Sequence, residues 1–355
     1  MNANLILIFS FWLVTFLFGY FLTPYYIEFL RKQKLGKQIR EEATIWKAIE
    51  FLKLHSKKAW TPTMGWWIIL LTVFLMVILS IVIQQFWLIN NSLLNRNETY
   101  LSLFTLFSVG LLGWIDDYMN IKWIWEKKWM SARLKMLGLI LFAIMWAMWF
   151  YFNLGWNEVD SITWEYLKWL ANPFWDPWKI WAYFVPLFIL VIVASANSVN
   201  ITDGLDGLAG GLLLFSYSVY GFICYSEWLF LLATLCLSIV GALIAFLWFN
   251  VKPAQFYMWD IGSLALWANL WIMAMLTNTI FILFIVGAIF ILETVSVIVQ
   301  LTSKKIRNWK KVFRIAPFHH HLEAIGWSEE NVVFRLWLVG IILAISGIIF
   351  YILQV

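Results

Sequence analysis

Closely spaced aspartates are the residues of this sequence whose types and positions are best suited to chemistry. Asp116 and Asp117 are neighbours, Asp203 and Asp206 lie three residues apart, and Asp260 stands directly before an apolar run. Neighbouring carboxylates repel, so one of them stays protonated unless a cation is present. The pattern favours a divalent metal ion or proton transfer, although solvated acids that end or cap helices would also account for it.

A compact polar loop, Asn197 to Gly207, separates two apolar segments and carries Asn197, Asn200, Asp203 and Asp206. A loop that only caps a helix needs one Asn or Asp, whereas this loop has two of each. Backbone N–H groups at the start of the helix that follows are suited to hold a phosphate oxygen. We therefore expect this loop to bind an anionic substrate.

Three consecutive histidines, His319, His320 and His321, precede the last apolar segment and are followed by Glu323. Three neighbours cannot share one face of a helix. Their chemistry fits phosphate contact, proton transfer near neutral pH or metal binding, and a solvated basic loop is the alternative. Glu293 lies inside an apolar run, where it is either a site residue or a paired structural acid.

The elements that position these residues are predicted to be membrane helices. The chain has 355 residues, of which 63% are hydrophobic and 13% are charged, whereas soluble domains carry roughly 25% charged residues. This composition excludes a soluble globular domain, a disordered chain and a disulfide scaffold. We predict an all-α integral membrane protein, one domain over residues 1–355, with ten transmembrane helices at about Leu5–Leu22, Gly65–Ile89, Tyr100–Ile115, Met136–Leu154, Ile180–Val199, Leu208–Tyr225, Trp228–Phe249, Ile261–Leu276, Ile280–Leu301 and Val332–Leu353.

Positive charge alternates between the connecting segments. Of the 25 lysines and arginines, all but Arg96, Lys168 and Lys179 fall in one alternate set of connections. The positive-inside rule places that set in the cytoplasm and both termini on the outer, periplasmic side. The aspartates and histidines then lie at the cytoplasmic face together with many lysines. These residue types are the ones that Mg²⁺-dependent phosphoryl transfer uses. An ion transporter would carry more ionisable groups at mid-span than Glu293 alone.

Several motifs, in order from about Phe29 to the C-terminus, resemble the polyprenyl-phosphate N-acetylhexosamine-1-phosphate transferase family. The triple histidine followed by glutamate is similar to the branch that uses a muramoyl-pentapeptide donor, whereas relatives that use UDP-N-acetylglucosamine carry a different histidine pattern. The matching strings are Thr61-Pro62-Thr63-Met64-Gly65, Asp116-Asp117-Tyr118, Asn197 through Ala209, Phe249-Asn250, Pro253-Ala254-Gln255, Asp260 through Leu266, Ala316 through His321 with Glu323, and Gly326-Trp327-Ser328-Glu329.

The resemblance implies ten transmembrane helices, a homodimer in the bacterial inner (plasma) membrane and no nucleic-acid partner. It implies Mg²⁺-dependent transfer of phospho-MurNAc-pentapeptide from UDP-MurNAc-pentapeptide to undecaprenyl phosphate, which yields lipid I and UMP in peptidoglycan synthesis. Carried over by position, Asp260 resembles the magnesium ligand, and Asp116 and Asp117 resemble the essential acidic pair, as base, positioning groups or further ligands. The substrate-binding positions are Lys58, Thr63, Asn197, Asn200, Asp203, Asp206, Tyr257, His319, His320 and His321.

Tryptophan is in excess, with 26 Trp against 18 Gly. At seven positions Trp stands where the family pattern has Gly: Trp60, Trp66, Trp129, Trp259, Trp267, Trp271 and Trp309. We hypothesise that these are UGA codons which the source organism reads as Gly. The rival interpretation is a Trp-rich relative that binds the polyprenyl carrier without catalysis, and a sister transferase for UDP-N-acetylglucosamine is a further alternative.

Overall fold

The computed structural model describes residues 2–33, 61–87, 89–122 and 198–354, with the helical residues 140–141 and 144–145. Within these ranges every regular element is a helix, and no strand is present. The helices are α1 (Asn2–Lys32), α2 (Trp66–Gln85), α3 (Asn97–Lys122), α4 (Leu208–Ser226), α5 (Phe230–Asn250), α6 (Trp259–Leu276), α7 (Ile280–Val286), α8 (Ala288–Ile306), α9 (Phe318–Ala324) and α10 (Glu329–Gln354).

In the described part of the chain, five helices are long and apolar enough to cross a membrane: α1, α2, α4, α5 and α10. The pair α7 and α8 raises this number to six if it is one broken span. The all-helical membrane character predicted from the sequence is therefore confirmed. The predicted spans 136–154 and 180–199 lie almost wholly outside the described residues, so the ten-span count and the orientation stay predictions.

Helices α4 and α5 form the centre of the bundle. In their most apolar windows 72% and 78% of the residues are buried, against 22% in α1 and α10, which leave many apolar side chains exposed as lipid-facing helices do. Helix α1 packs closely on α5 because Gly241 has no side chain: a Cβ there would overlap the carbonyl oxygen of Trp12. Small residues of this kind let membrane helices approach backbone to backbone.

The predicted span 280–301 is two helices rather than one. Helices α7 and α8 meet at Gly287 with a bend of 72°. A Cβ at Gly287 would lie 2.5 Å from Cη2 of Trp267 and 2.8 Å from the carbonyl oxygen of Leu283. The bend therefore depends on a residue without a side chain. A hydropathy profile does not predict such a bend, because it averages over the whole span.

A buried polar network joins α3, α4 and α6. The hydroxyl of Tyr217 donates to the carbonyl oxygen of Leu266 (2.7 Å) and lies 3.1 Å from Oδ1 of Asn269. Nδ2 of Asn269 donates to the carbonyl oxygen and Oγ of Ser102, at 2.6 and 2.7 Å. Ser102, near the start of α3, thus lies beside Asn269 in the later half of α6. Trp66 contacts Gly110, further along α3, and Gly262, near the start of α6, so these two helices run antiparallel.

Three helices end in the same backbone motif with three different residues in its left-handed position. After α4, α6 and α9 this position is Trp228 (φ 62°), Asn278 (φ 55°) and Gly326 (φ 107°). After α4, for example, the N–H of Trp228 donates to the carbonyl oxygen of Tyr225, and the N–H of Leu229 donates to that of Cys224. The ends of α6 and α9 have the equivalent pair of hydrogen bonds, which defines a Schellman motif. Gly is usual there and Asn is tolerated, so Trp228 is the exceptional residue.

Candidate active site

The aspartate loop forms a tight turn between residues 198–202, which are helical, and α4. The N–H of Asp203 donates to the carbonyl oxygen of Val199 at 3.0 Å, and that of Gly204 donates to Thr202 at 2.8 Å. Gly207 adopts φ 81°, and its N–H donates to Oδ1 of Asn250 at 3.1 Å. Asp206 is buried, whereas Asn200 and Asp203 are partly exposed. The loop therefore presents two of its predicted substrate groups toward solvent on a fixed backbone.

Residues from the start of α10 and from the α5–α6 connection hold this loop in place. The N–H of Asp206 donates to Oε1 of the buried Glu329 at 3.0 Å, and Oδ2 of Asp206 accepts the N–H of Ala254 at 3.1 Å. Lys252 lies 3.3 Å from Glu329 and 2.7 Å from Glu330. Burial alone would lower the pKa of Lys252, but these two carboxylates outweigh it and raise that pKa, so the cation persists.

Tyr257 connects the aspartate loop to the Thr61–Gly65 segment and to the start of α6. Its backbone N–H donates to the carbonyl oxygen of Pro62 at 2.9 Å, and its carbonyl oxygen accepts the N–H of Gly65 at 2.7 Å. Burial raises the pKa of the Tyr257 hydroxyl, and the negative charge of Asp206 raises it further. The hydroxyl is therefore protonated at neutral pH, and it is hydrogen-bonded with the side chains of Thr61 and Asp206. Thr63, predicted to lie near the phosphates, is buried in this segment.

Two of the three histidines face the aspartate loop. A Cβ at Gly204 would overlap Nε2 of His319 and would lie 3.3 Å from Nε2 of His320, so both imidazole edges converge on this glycine. Nδ1 of His319 lies 3.1 Å from Oε2 of Glu293, and Nδ1 of His320 lies 2.7 Å from Oε2 of Glu323.

The third histidine points elsewhere. Nδ1 of His321 accepts the N–H of Arg314 at 3.2 Å, and its ring centroid lies 5.4 Å from that of Phe313. The structure thus brings His319 and His320 to the loop and places His321 on another side of α9, as expected for three consecutive residues of a helix.

The predicted acidic pair and the predicted magnesium ligand occupy helix ends on the same side of the bundle. Trp66 packs between Gly110 of α3 and Gly262 of α6. Asp116 follows Gly110 by six residues, about 9 Å along a helix, and Asp260 precedes Gly262 by two residues. Antiparallel packing therefore brings these three positions toward one end, where Tyr257 and the aspartate loop also lie.

Clustered hard oxygen donors suit Mg²⁺, so these helix ends fit such an ion. Among the described side chains, no group of three or more His, Cys, Asp or Glu residues is arranged to hold a metal. At Asp116, Asp117 and Asp260 the structure describes the backbone alone. Lys58 and Asn197, two predicted substrate contacts, lie outside the described residues.

The tryptophans predicted to be Gly have distinct surroundings. Trp66, Trp267 and Trp271 are buried, and their indole nitrogens find no hydrogen-bond partner among the described residues. The indole nitrogen of the half-buried Trp337, which is not one of the seven, also finds none there, so this property does not distinguish the predicted glycines. Trp309 has φ 68°, in the region that favours Gly. For Trp259 the structure describes only the backbone, and Trp60 and Trp129 lie outside the described residues.

Sequence reasoning assigned no role to Asn250, Lys252, Glu323 or Glu329, although these residues fix the loop and the histidine helix. Three of them stand inside the motifs that carry the resemblance, and Lys252 directly precedes one of these motifs, which was the available signal. Their role depends on contacts such as that between Asp206 and Glu329, 123 residues apart, which no local pattern reveals.

Comparison with known proteins gives a consistent result. Glycosyl transferase family 4 matches residues 99–278. A phospho-N-acetylmuramoyl-pentapeptide-transferase of Geobacillus sp. (strain WCH70) is 36% identical over 339 residues, which cover 95% of each chain. The protein of the same name from Bacillus subtilis (strain 168) is 35% identical over 337 residues, again 95% of each chain. The chain therefore belongs to the phospho-N-acetylmuramoyl-pentapeptide-transferase family, within glycosyl transferase family 4, and is a transferase enzyme of a bacterial membrane.

Proposed function

We propose that this protein transfers phospho-MurNAc-pentapeptide from UDP-MurNAc-pentapeptide to undecaprenyl phosphate and forms lipid I and UMP. The observation that carries the proposal is the meeting of the aspartate loop, Tyr257, two histidines and the ends of α3 and α6 in a chain of this family. A phosphate oxygen of the lipid attacks the phosphorus that bears the sugar. The bond from that phosphorus to the bridging oxygen breaks, and UMP leaves with this oxygen.

The residues of the site have separate tasks in this reaction. Mg²⁺, held by Asp260 with the Asp116–Asp117 pair, would neutralise charge on the pyrophosphate. We assign the pair to the lipid phosphate, where its carboxylates would orient that group or take its proton. Tyr257 stacks on or donates to the uridine, and Asn200 and Asp203 bind the nucleotide and amino sugar.

The remaining sequence predictions form part of the same proposal. Ten spans with both termini outside place the site at the cytoplasmic face of the inner membrane, where a nucleotide-linked donor is available. We further propose that residues 1–355 form a single domain and that the protein is a homodimer. The positive connections and the apolar helices support this arrangement.

The test is UMP release by purified protein in detergent with Mg²⁺, both substrates, and Asp260→Asn as the control. Two proteins are compared, one with tryptophan and one with glycine at the seven Trp positions. Release that requires both substrates and is lost in Asp260→Asn supports the transferase. Release with UDP-N-acetylglucosamine instead identifies the sister activity, and silence of both folded versions with either donor contradicts the proposal and favours a carrier-binding protein.

A further inference from the structure

Helix α8 carries a polar stripe along one face. Glu293, Ser296, Gln300 and Ser303 follow each other at intervals of three, four and three residues, which places them on one side of a helix, and all four are buried. The other side exposes apolar residues, among them Leu292, Val295, Ile298, Val299 and Leu301. In a membrane protein the polar side of such a helix faces the protein.

This stripe holds the segment that leads into the histidine helix. Oε1 of Gln300 accepts the N–H groups of Val312 and Phe313, each at 3.0 Å, and its Nε2 donates to the carbonyl oxygen of Phe313 at 2.8 Å. Oγ of Ser303 donates to the carbonyl oxygen of Lys310 at 2.9 Å. Residues 310–313 are therefore fixed to α8 through backbone groups and not through their own side chains.

Glu293 makes the last of these attachments, at the first turn of α9. Its Oε2 accepts the backbone N–H of His319 at 3.2 Å and lies 3.1 Å from Nδ1 of the same residue. Both residues are fully buried. An anchor for the backbone alone would need one bond, whereas this carboxylate also fixes the rotation of the imidazole ring.

The remaining polar atoms of Glu293 and His319 indicate what this contact does. Oε1 of Glu293 and Nε2 of His319 find no hydrogen-bond partner among the described residues. A proton on Nδ1, directed to Glu293, would leave Nε2 as a hydrogen-bond acceptor on the side of the ring that faces Gly204. His320, whose ring centroid is 4.2 Å from that of His319, lies against the same glycine.

We propose that Glu293 is a positioning residue of the transfer reaction: it fixes His319 with the proton on Nδ1 and thereby seats both histidines against the loop that carries Asp203. The inference rests on the proposed function for its kinetic consequence. Its structural consequence, the tautomer of His319, is independent of any substrate. A carboxylate or amide that sets the tautomer of a neighbouring imidazole is a recurring device in enzymes.

The first experiment is ¹⁵N NMR of the imidazoles in detergent-solubilised full-length protein, without substrate or metal. The resonance lost in His319→Gln is the one assigned to His319. We expect a neutral ring with Nδ1 protonated in the unaltered protein and in Glu293→Gln, which retains an oxygen at the same place. In Glu293→Leu we expect the Nε2-protonated form to dominate. Protonation on Nε2 in the unaltered protein overturns the inference, whether or not UMP is released.

The second experiment is steady-state UMP release with varied UDP-MurNAc-pentapeptide. We expect Glu293→Leu to raise KM for the donor about tenfold, Glu293→Gln to stay within threefold, and Ser296→Ala to have no effect. Ser296 is the matched control because it is buried on the same stripe and its Oγ donates to the backbone carbonyl of Glu293 (2.6 Å) and not to the histidine helix. Equal KM values for all variants contradict the inference, and if Glu293→Leu does not fold, Glu293→Gln and the NMR result decide it.

Discussion

The left-handed position after α4 provides a stability test of whether tryptophan belongs there. Trp228 is 69% exposed and adopts φ 62°, and its ring centroid lies 5.7 Å from that of Phe230. A left-handed conformation costs a residue with a side chain roughly 1–2 kcal/mol. Loss of one exposed ring contact costs about 0.5 kcal/mol. We therefore expect Trp228→Gly to stabilise the protein by about 1 kcal/mol, an increase in Tm of roughly 2 °C.

The matched control is Trp248→Gly in the interior of α5. Trp248 is 63% exposed and also has one edge-to-face neighbour, Tyr20, at 5.5 Å. Its backbone is helical, however, where Gly costs about 1 kcal/mol relative to a helix former. Together with the lost ring contact this predicts destabilisation by about 1.5 kcal/mol. The two substitutions are chemically identical and are expected to shift Tm in opposite directions.

A thiol-reactive fluorophore followed during a thermal ramp measures both variants. Cys224 and Cys236 are free and fully buried, so they react only once the bundle opens. Light scattering serves as a second reading because Cys224 lies near the altered helix end. A decrease in Tm for Trp228→Gly similar to that for Trp248→Gly would refute the reasoning. Mass spectrometry of native peptides then tests the codon hypothesis directly, with Gly expected at the seven Trp positions assigned to such codons. The backbone angle of Trp228 adds that position to the test.

Three further predictions follow from contacts at the site and in the core. Gly204→Ala is expected to displace the two histidines that converge on it and to raise KM for the donor, with circular dichroism showing unchanged helix content. Tyr217→Phe removes the bond to the carbonyl oxygen of Leu266 and is expected to lower stability by about 1 kcal/mol in the same thermal assay; an unchanged Tm would contradict it. The bond to Lys252 holds the pKa of Glu330 below 4.5, so its contribution is present above that pH and is lost as pH falls through the lowered pKa. Glu330→Gln should therefore lose slightly less stability than the unaltered protein as the pH is lowered through and below 4.5.

The sequence predicted the apolar helices and singled out the aspartate loop and the histidine run, because each of these signals is local. Mean hydropathy finds a span such as α5, and a motif such as the aspartate loop is contiguous. The bend at Gly287 was not predicted, because one glycine packed against Trp267 decides it.

Long-range pairs were equally inaccessible to sequence reasoning. Glu293 was recognised as unusual, but its partner His319 lies 26 residues away and across a turn. The backbone angle of Trp228 is also a property of the folded helix end, and no pattern in the sequence distinguishes it from the helical Trp248.

The network of Tyr217, Asn269 and Ser102 has a consequence for how the protein is made. Each of these polar groups would be exposed to hydrocarbon if its helix entered the bilayer alone, and each is satisfied only by a neighbouring helix. Ser102 of α3 is synthesised 167 residues before Asn269 of α6, so this hydrogen bond forms only after the later helix has been inserted. Membrane integration and assembly of these helices are therefore coupled, and the ends of α3 and α6 that carry the aspartates come into place as the later helix leaves the insertion machinery.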